Sequence, residues 1–292
     1  MNRSRVPVEV WEFGGSGESW RAHRAARPPK PVEGRDYRWP LIGECRSSPC
    51  LERVLSLAPE LIRRYPCFND YDSLRLYGLE FARALGPDRG HIEYGVSPER
   101  IELTEEGFPD LYALVHEITY YRRADSPDPR HLYYRLQAER WLESLMLENV
   151  SELFPELMPE AVYSQIPVYL GQIAGRVDIL GADRAGTLVV MELKVSPDPN
   201  LPVQCLDYWG RVIAHNKNGD FERRGYFPGI RLSRRRPKIY LVSPVFSFHD
   251  STERLMSYLD PGLETWKIGI NEDWRCGVKI MRRDRFRCGD LS

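Results

Sequence analysis

Residues Gly175–Val195 read GRVDILGADRAGTLVVMELKV. Leu188 to Met191 is apolar on both faces, which predicts a central strand buried from both sides. Residues 188, 190, 192 and 194 of such a strand share one face, so Glu192 and Lys194 point the same way. Asp183–Thr187 offers a three-residue hairpin loop with Gly186 at the position that needs left-handed backbone. A register centred on Ala185 then sets Asp178 opposite Glu192, and a slip of one residue would move Asp178 to the other face. Two carboxylates and an ammonium are thereby expected at one spot on an apolar sheet.

These residue types suit a particular chemistry. Two close carboxylates repel, and burial makes ionising both costly. A divalent cation removes that penalty, and Mg²⁺ or Mn²⁺ bound by a few carboxylates keeps room for waters and a phosphate oxygen. Lys194 is then placed to orient a water or to offset charge at phosphorus. The bland alternative is a surface hairpin with a salt bridge from Lys194. It does not explain why an otherwise apolar strand ends in Glu-Leu-Lys, since such a pair adds little when exposed and is expensive when buried.

Outward from the hairpin, His131–Leu153 carries the longest helical pattern, stopped by Pro155 and Pro159. Strands are expected at 161–170, 175–180 and 188–195, a helix at 202–215, a strand at 238–246, a short helix at 252–259 and a terminal hairpin turned at 271–273. The order helix, three strands, helix, strand predicts an α/β core, a mixed central sheet flanked by helices. Residues 1–45, rich in Gly, Pro, Arg and Trp without periodicity, read as an extended arm. Residues 46–130 read as a mainly helical N-terminal domain, with helices over 48–65, 70–85 and 110–123 and a short strand at 100–104. A winged-helix-like DNA-binding unit is one form this could take, and a small helical subdomain packed on the body is the favoured one. Residues 131–292 form the main domain.

The net charge is −1, from 41 Lys+Arg against 42 Asp+Glu, which excludes a generally basic coat. Charge is unevenly distributed, however. Arg223–Lys238 holds seven basic residues and no acid, Arg234, Arg235 and Arg236 among them, and reads as a phosphate-binding rim or a solvated loop. The six cysteines include no CxxC and are expected to be reduced thiols. No HExxH, HxH or Walker-type loop appears. With no long apolar run and no apolar N-terminal stretch, the cytoplasm is the expected compartment.

The Asp178…Glu192-Leu193-Lys194 pattern, with the predicted element order, resembles the PD-(D/E)xK nuclease superfamily over residues 131–246, with Val177 where the name has Pro. The resemblance implies a restriction-endonuclease-like core and a metal-dependent nuclease that hydrolyses DNA phosphodiesters in repair, processing or defence, with RNA left open. It implies Mg²⁺ or Mn²⁺ held by Asp178, Glu192 and a Glu on the first core helix. Glu139, in Glu-x-x-Leu, is favoured over Glu143. Gln204-x-x-x-Tyr208 resembles the Gln-x-x-x-Tyr helix of RecB-like members, which gives Gln204 a place in catalysis and Tyr208 and Arg211 a place on the nucleic acid. The rival is a catalytically inactive nucleic-acid-binding or assembly module on the same fold. The N-terminal region leaves room for a homodimer or protein partner.

Overall fold

In the computed structural model, which describes residues 11–16, 19–24, 47–67, 71–96, 98–170, 173–260 and 262–286, the chain before residue 131 is built chiefly of strands. Trp11–Ser16 (β1) and Ser19–Arg24 (β2) pair antiparallel; the rest of the expected arm lies outside the described residues. After helix α1 (Pro49–Leu55) come β3 (Ile62–Cys67), β4 (Tyr71–Leu76), β5 (Leu79–Leu85), β6 (His91–Tyr94) and β7 (Ile101–Glu102). Among the described residues these form a five-stranded antiparallel sheet in sequence order. Helix α2 (Phe108–Tyr121) covers it with Leu111, Val115 and Ile118 against Leu74, Leu76 and Phe81.

The expectation of a mainly helical 46–130 region is therefore corrected, and with it the winged-helix form. The helix expected over 70–85 is a hairpin. Tyr77 (φ 46°) and Gly78 (φ 77°) make a two-residue turn with both residues left-handed, the type I′ geometry that matches strand twist. Gly78 is obligatory for a second reason: a Cβ there would sit 1.9 Å from the Arg140 carbonyl oxygen.

The expected long helix at 131–153 is broken into α3 (Leu132–Arg135), α4 (Ala138–Glu148) and α5 (Val150–Leu153). Buried Arg122 explains the first break. It donates to the carbonyls of Tyr133 (2.7 Å), Leu136 (2.5 Å) and Gln137 (3.1 Å), and to that of Tyr77 (3.0 Å). Carbonyls of Tyr133, Leu136 and Gln137 are thus capped from outside, and Gln137 turns left-handed (φ 48°) to start α4 afresh. One guanidinium ties the β4–β5 turn to the first turn of α4.

The second sheet contains β8 (Leu157–Leu170), β9 (Ile173–Asp183), β10 (Leu188–Leu193), β11 (Lys238–Pro244), β12 (Thr265–Ile270) and β13 (Ile280–Phe286). Its order among the described residues is β13-β12-β11-β10-β9-β8, mixed, with β10–β11 and β11–β12 parallel. Helix α6 (Leu201–Asn218) lies on one face. Leu188 and Val190 pack there with Leu201, Cys205, Trp209 and Val212. Val189, Met191 and Leu193 face Trp141, Leu142 and Met146 of α4 on the other. All of β10 is buried, and each large apolar side chain so placed contributes about 2 kcal/mol. Short helices α7 (Asp220–Arg223) and α8 (Ser251–Ser257) complete the layer.

The whole is a mixed α/β architecture with two main sheets and flanking helices. No helix among the described residues is long and apolar enough to cross a membrane.

Candidate functional site

The hairpin that carries the acids has the pairs Leu188–Ala182, Val189–Gly181, Val190–Leu180 and Met191–Ile179, a register centred on Ala185. Gly186 is left-handed (φ 72°), and the Asp183 carboxylate accepts from the N–H groups of Ala185 (2.9 Å) and Thr187 (2.8 Å), which fixes the turn. Past the last pair the strands part, and Asp178 Oδ2 accepts from the Leu193 N–H at 3.0 Å. Asp178, Glu192, Lys194, Glu139 and Gln204 line one cavity of about 190 Å³, together with Gln137, Arg140 and Leu193.

Glu192 is 1% exposed, and its Oε2 is buried without a hydrogen-bond donor in reach. Burial, then the Asp178 carboxyl beside it, pushes the Glu192 carboxyl up to about 9. Burial likewise raises Asp178, against the pull of the Leu193 N–H. Two carboxyls in contact with no donor between them bond to each other only if one keeps a proton. The pair is thus built to be neutralised, by a proton or by a cation. Lys194 Nζ stands 4.0 Å from Glu192 Oε1 and 3.6 Å from Asp198 Oδ2. Burial pulls its ammonium down, but Glu192, Glu139 and Asp178 outweigh that and leave it raised, so it stays charged.

Glu139 and Glu143 occupy different places. Glu139, half-buried, is on the cavity wall. Glu143 is 2% exposed and joined to Asp178 through Gln165, whose Nε2 donates to Glu143 Oε2 (2.8 Å) and Asp178 Oδ1 (3.0 Å). Ser164 Oγ also donates to Glu143, and Arg140 lies 3.3 Å from it. Burial, opposed by Arg140, brings the Glu143 carboxyl to about 7.

Gln165 is a residue that the sequence reading passed over. Its backbone is left-handed (φ 55°) inside a strand, a conformation that costs a non-glycine residue roughly 1 kcal/mol or more. A polar residue within the run AVYSQIPVYL was its sole signal.

Two groups expected on the nucleic-acid face stand apart from the cavity. Arg211 is 5% exposed; it donates to the Val168 carbonyl (3.1 Å) and pairs with Asp207 (2.5 Å), because α6 presses this face onto Gly175 of β9. Arg234, Arg235 and Arg236 are exposed but stand at the far end of the sheet. Strand β11 runs parallel to β10, with Lys238 beside Val189 and Val242 accepting the Lys194 N–H at 3.0 Å. From Arg236 to Val242 is roughly 20 Å at about 3.3 Å per residue. The basic loop instead braces the hairpin turn: Ser233 N–H donates to Gly186 O (2.7 Å), and Lys238 pairs with Asp183 (3.0 Å). Tyr208 is half-buried near the cavity, its hydroxyl accepting from Gln204 Nε2 at 3.2 Å.

Among the described residues, no group of three or more His, Cys, Asp or Glu is gathered as a ready metal cage. The fit to a divalent ion rests on two carboxylates, Asp178 and Glu192, and on the donorless Glu192 oxygen. That suits a hard cation which takes one or two carboxylates and completes its shell with water and phosphate. Cys205 is buried and, like Cys50 and Cys276, a free thiol.

No family model matches this sequence, and a search of curated proteins finds no match. Among solved structures, a repair endonuclease from Pyrococcus abyssi is similar at 15% identity with a TM-score of 0.22, over 71% of this chain and 65% of that one. A superposition at that level does not by itself establish a common fold or activity.

Proposed function

We propose that the cavity at the end of β10 is the active site of a divalent-metal-dependent nuclease, with the PD-(D/E)xK arrangement of Asp178, Glu192 and Lys194. The observation that carries this reading is the buried Glu192 carboxyl beside half-buried Asp178, with one Glu192 oxygen lacking any donor and an ammonium alongside. Asp178 and Glu192 would hold Mg²⁺ or Mn²⁺, and Glu139 on the cavity wall would receive a water of its shell. When bound, the ion neutralises the acid pair and polarises a phosphodiester.

The chain's own side chains then have defined tasks. Water gives up a proton to solvent as it adds to phosphorus, one P–O ester bond breaks, and the leaving alkoxide takes a proton back from solvent. Lys194, kept charged by its carboxylate neighbours, is not a base in this scheme; it offsets the negative charge that develops at phosphorus. Gln204 offers an amide N–H to a phosphate oxygen, and Tyr208 sets its rotamer. Gln165 and the Leu193 N–H orient Asp178 from behind. DNA is the proposed substrate.

The test is cleavage of end-labelled single-stranded, duplex and branched DNA, and of RNA, with Mg²⁺ or Mn²⁺. Asp178→Ala and Lys194→Ala are expected to remove activity, by a factor of at least about 100 for the lysine. Binding with no cleavage of any substrate would favour a silent nucleic-acid-binding module instead.

A further inference from the structure

Next to the acid cavity is a second recess of about 200 Å³ that the proposed chemistry does not use. Five guanidinium groups line it, from Arg75, Arg83, Arg100, Arg140 and Arg176, against the single carboxylate of Glu80. Glu80 Oε1 already accepts from both Arg83 (2.8 Å) and Arg100 (2.6 Å). Arg140 leans instead towards Glu143, at 3.3 Å. Arg75 is 8% exposed, stacked on the Tyr65 ring at 4.5 Å and held by Ser73 Oγ at 2.9 Å. Arg176 is exposed and forms no ion pair among the described residues.

Cations gathered in this ratio repel one another unless an anion joins them. Planar guanidinium donors match the oxygens of a phosphate group, and several are needed to balance a dianion. The β4–β5 hairpin supplies much of the lining of the recess. Gly78 lines it and packs backbone to backbone on Arg140, so tightly that a Cβ would overlap the Arg140 carbonyl. A terminal phosphate monoester carries close to two negative charges where an internal diester carries one, so this excess of cations suits the end of a strand. Gln137 and Arg140 line both this recess and the acid cavity, so the two open beside each other.

We infer that the arginine recess binds the terminal phosphate monoester of a nucleic-acid end, setting the acid cavity over a linkage close to that end. The second half rests on the nuclease reading; the first half does not. Binding is therefore measured without cleavage, by fluorescence anisotropy of labelled oligonucleotides in EDTA. Each is compared with a 5′-phosphate, a 3′-phosphate or hydroxyl ends, on the full chain and on Arg75→Gln, Arg176→Gln and Arg235→Gln.

A preference of about tenfold for one phosphorylated end is expected in the native chain. It should fall to near onefold in Arg176→Gln and Arg75→Gln. Arg235→Gln, on the distant loop, should keep it, which separates a built site from general charge. Because Arg176 is exposed, its substitution leaves the fold intact, and a thermal melt verifies this. Equal affinity for phosphate and hydroxyl ends would overturn the inference, as would a preference that survives in a folded Arg176→Gln. Absence of cleavage with the end preference intact would count against the nuclease reading alone.

Discussion

Replacing Glu192 with Gln should make the metal-free protein more stable at mildly alkaline pH. Glu192 keeps its proton in the folded state up to about 9, whereas the ordinary value is 4.5. Above that ordinary value the unfolded chain has lost a proton that the folded chain retains. The unfolded state then binds fewer protons, and stability falls as pH rises. This contribution is fully present below 4.5 and is lost progressively up to about 9. Each unit is worth about 1.4 kcal/mol, so at about pH 8 the ceiling is roughly 5 kcal/mol. Asp178 shares the proton and the cavity admits some relaxation, so a gain of about 1–3 kcal/mol is expected for the uncharged amide. Urea unfolding of both proteins, at about pH 5 and about pH 8 in EDTA, reads this directly. Saturating Mn²⁺ should shrink or cancel the difference, since an ion at a hundredfold its Kd stabilises the wild type by about 2.7 kcal/mol and the amide loses a ligand. A Glu192→Gln protein less stable than wild type at alkaline pH without metal would refute the reasoning, and so would a difference that ignores pH.

Two further substitutions probe how the sheets are joined. Arg122→Met leaves the carbonyls of Tyr77, Tyr133, Leu136 and Gln137 without their shared donor, and should cost about 2–4 kcal/mol in denaturant unfolding. A cost under about 0.5 kcal/mol would show that water replaces the guanidinium without loss. Gly78→Ala drives a methyl into the Arg140 carbonyl at left-handed backbone, and should lower stability by at least about 2 kcal/mol. The loss should also be accompanied by weaker DNA binding, because Arg140 lines both recesses; a well-folded variant with unchanged binding would contradict that link.

The hairpin was legible because three local signals agree in it: an apolar strand without alternation, a turn with Gly186, and charges spaced by two. The same reading failed over 70–85. Leu74, Leu76, Leu79 and Phe81 alternate about the turn, yet Leu, Arg, Glu and Ala favour helices and Tyr-Gly is not the usual type I′ pair. The break between α3 and α4 was hidden for another reason. Its cause, Arg122, lies outside the segment and acts on carbonyls, which leave no trace in a pattern of side chains. Helical spacing correctly grouped Gln204, Tyr208 and Arg211, but it does not say that the Arg211 end of that face meets Gly175 of β9. The Arg234–Arg236 run was read from charge alone, and strand direction put it at the other end of the sheet from Lys194. Glu139 and Glu143 differ by one helical turn, and only the bridge through Gln165 distinguishes a buried partner of Asp178 from a residue of the cavity wall.

The account's central claim is that Asp178, Glu192 and Lys194 direct water onto a phosphodiester with the help of a divalent ion. Cleavage of labelled DNA in heavy-oxygen water, followed by mass spectrometry of the product ends, tests it most directly. One heavy oxygen on each new terminal phosphate is predicted with Mn²⁺ and wild-type protein, and none with Asp178→Asn or in EDTA. Heavy-oxygen product formed equally by Asp178→Asn, or no phosphate-ended product from the wild type on any nucleic acid, would contradict it.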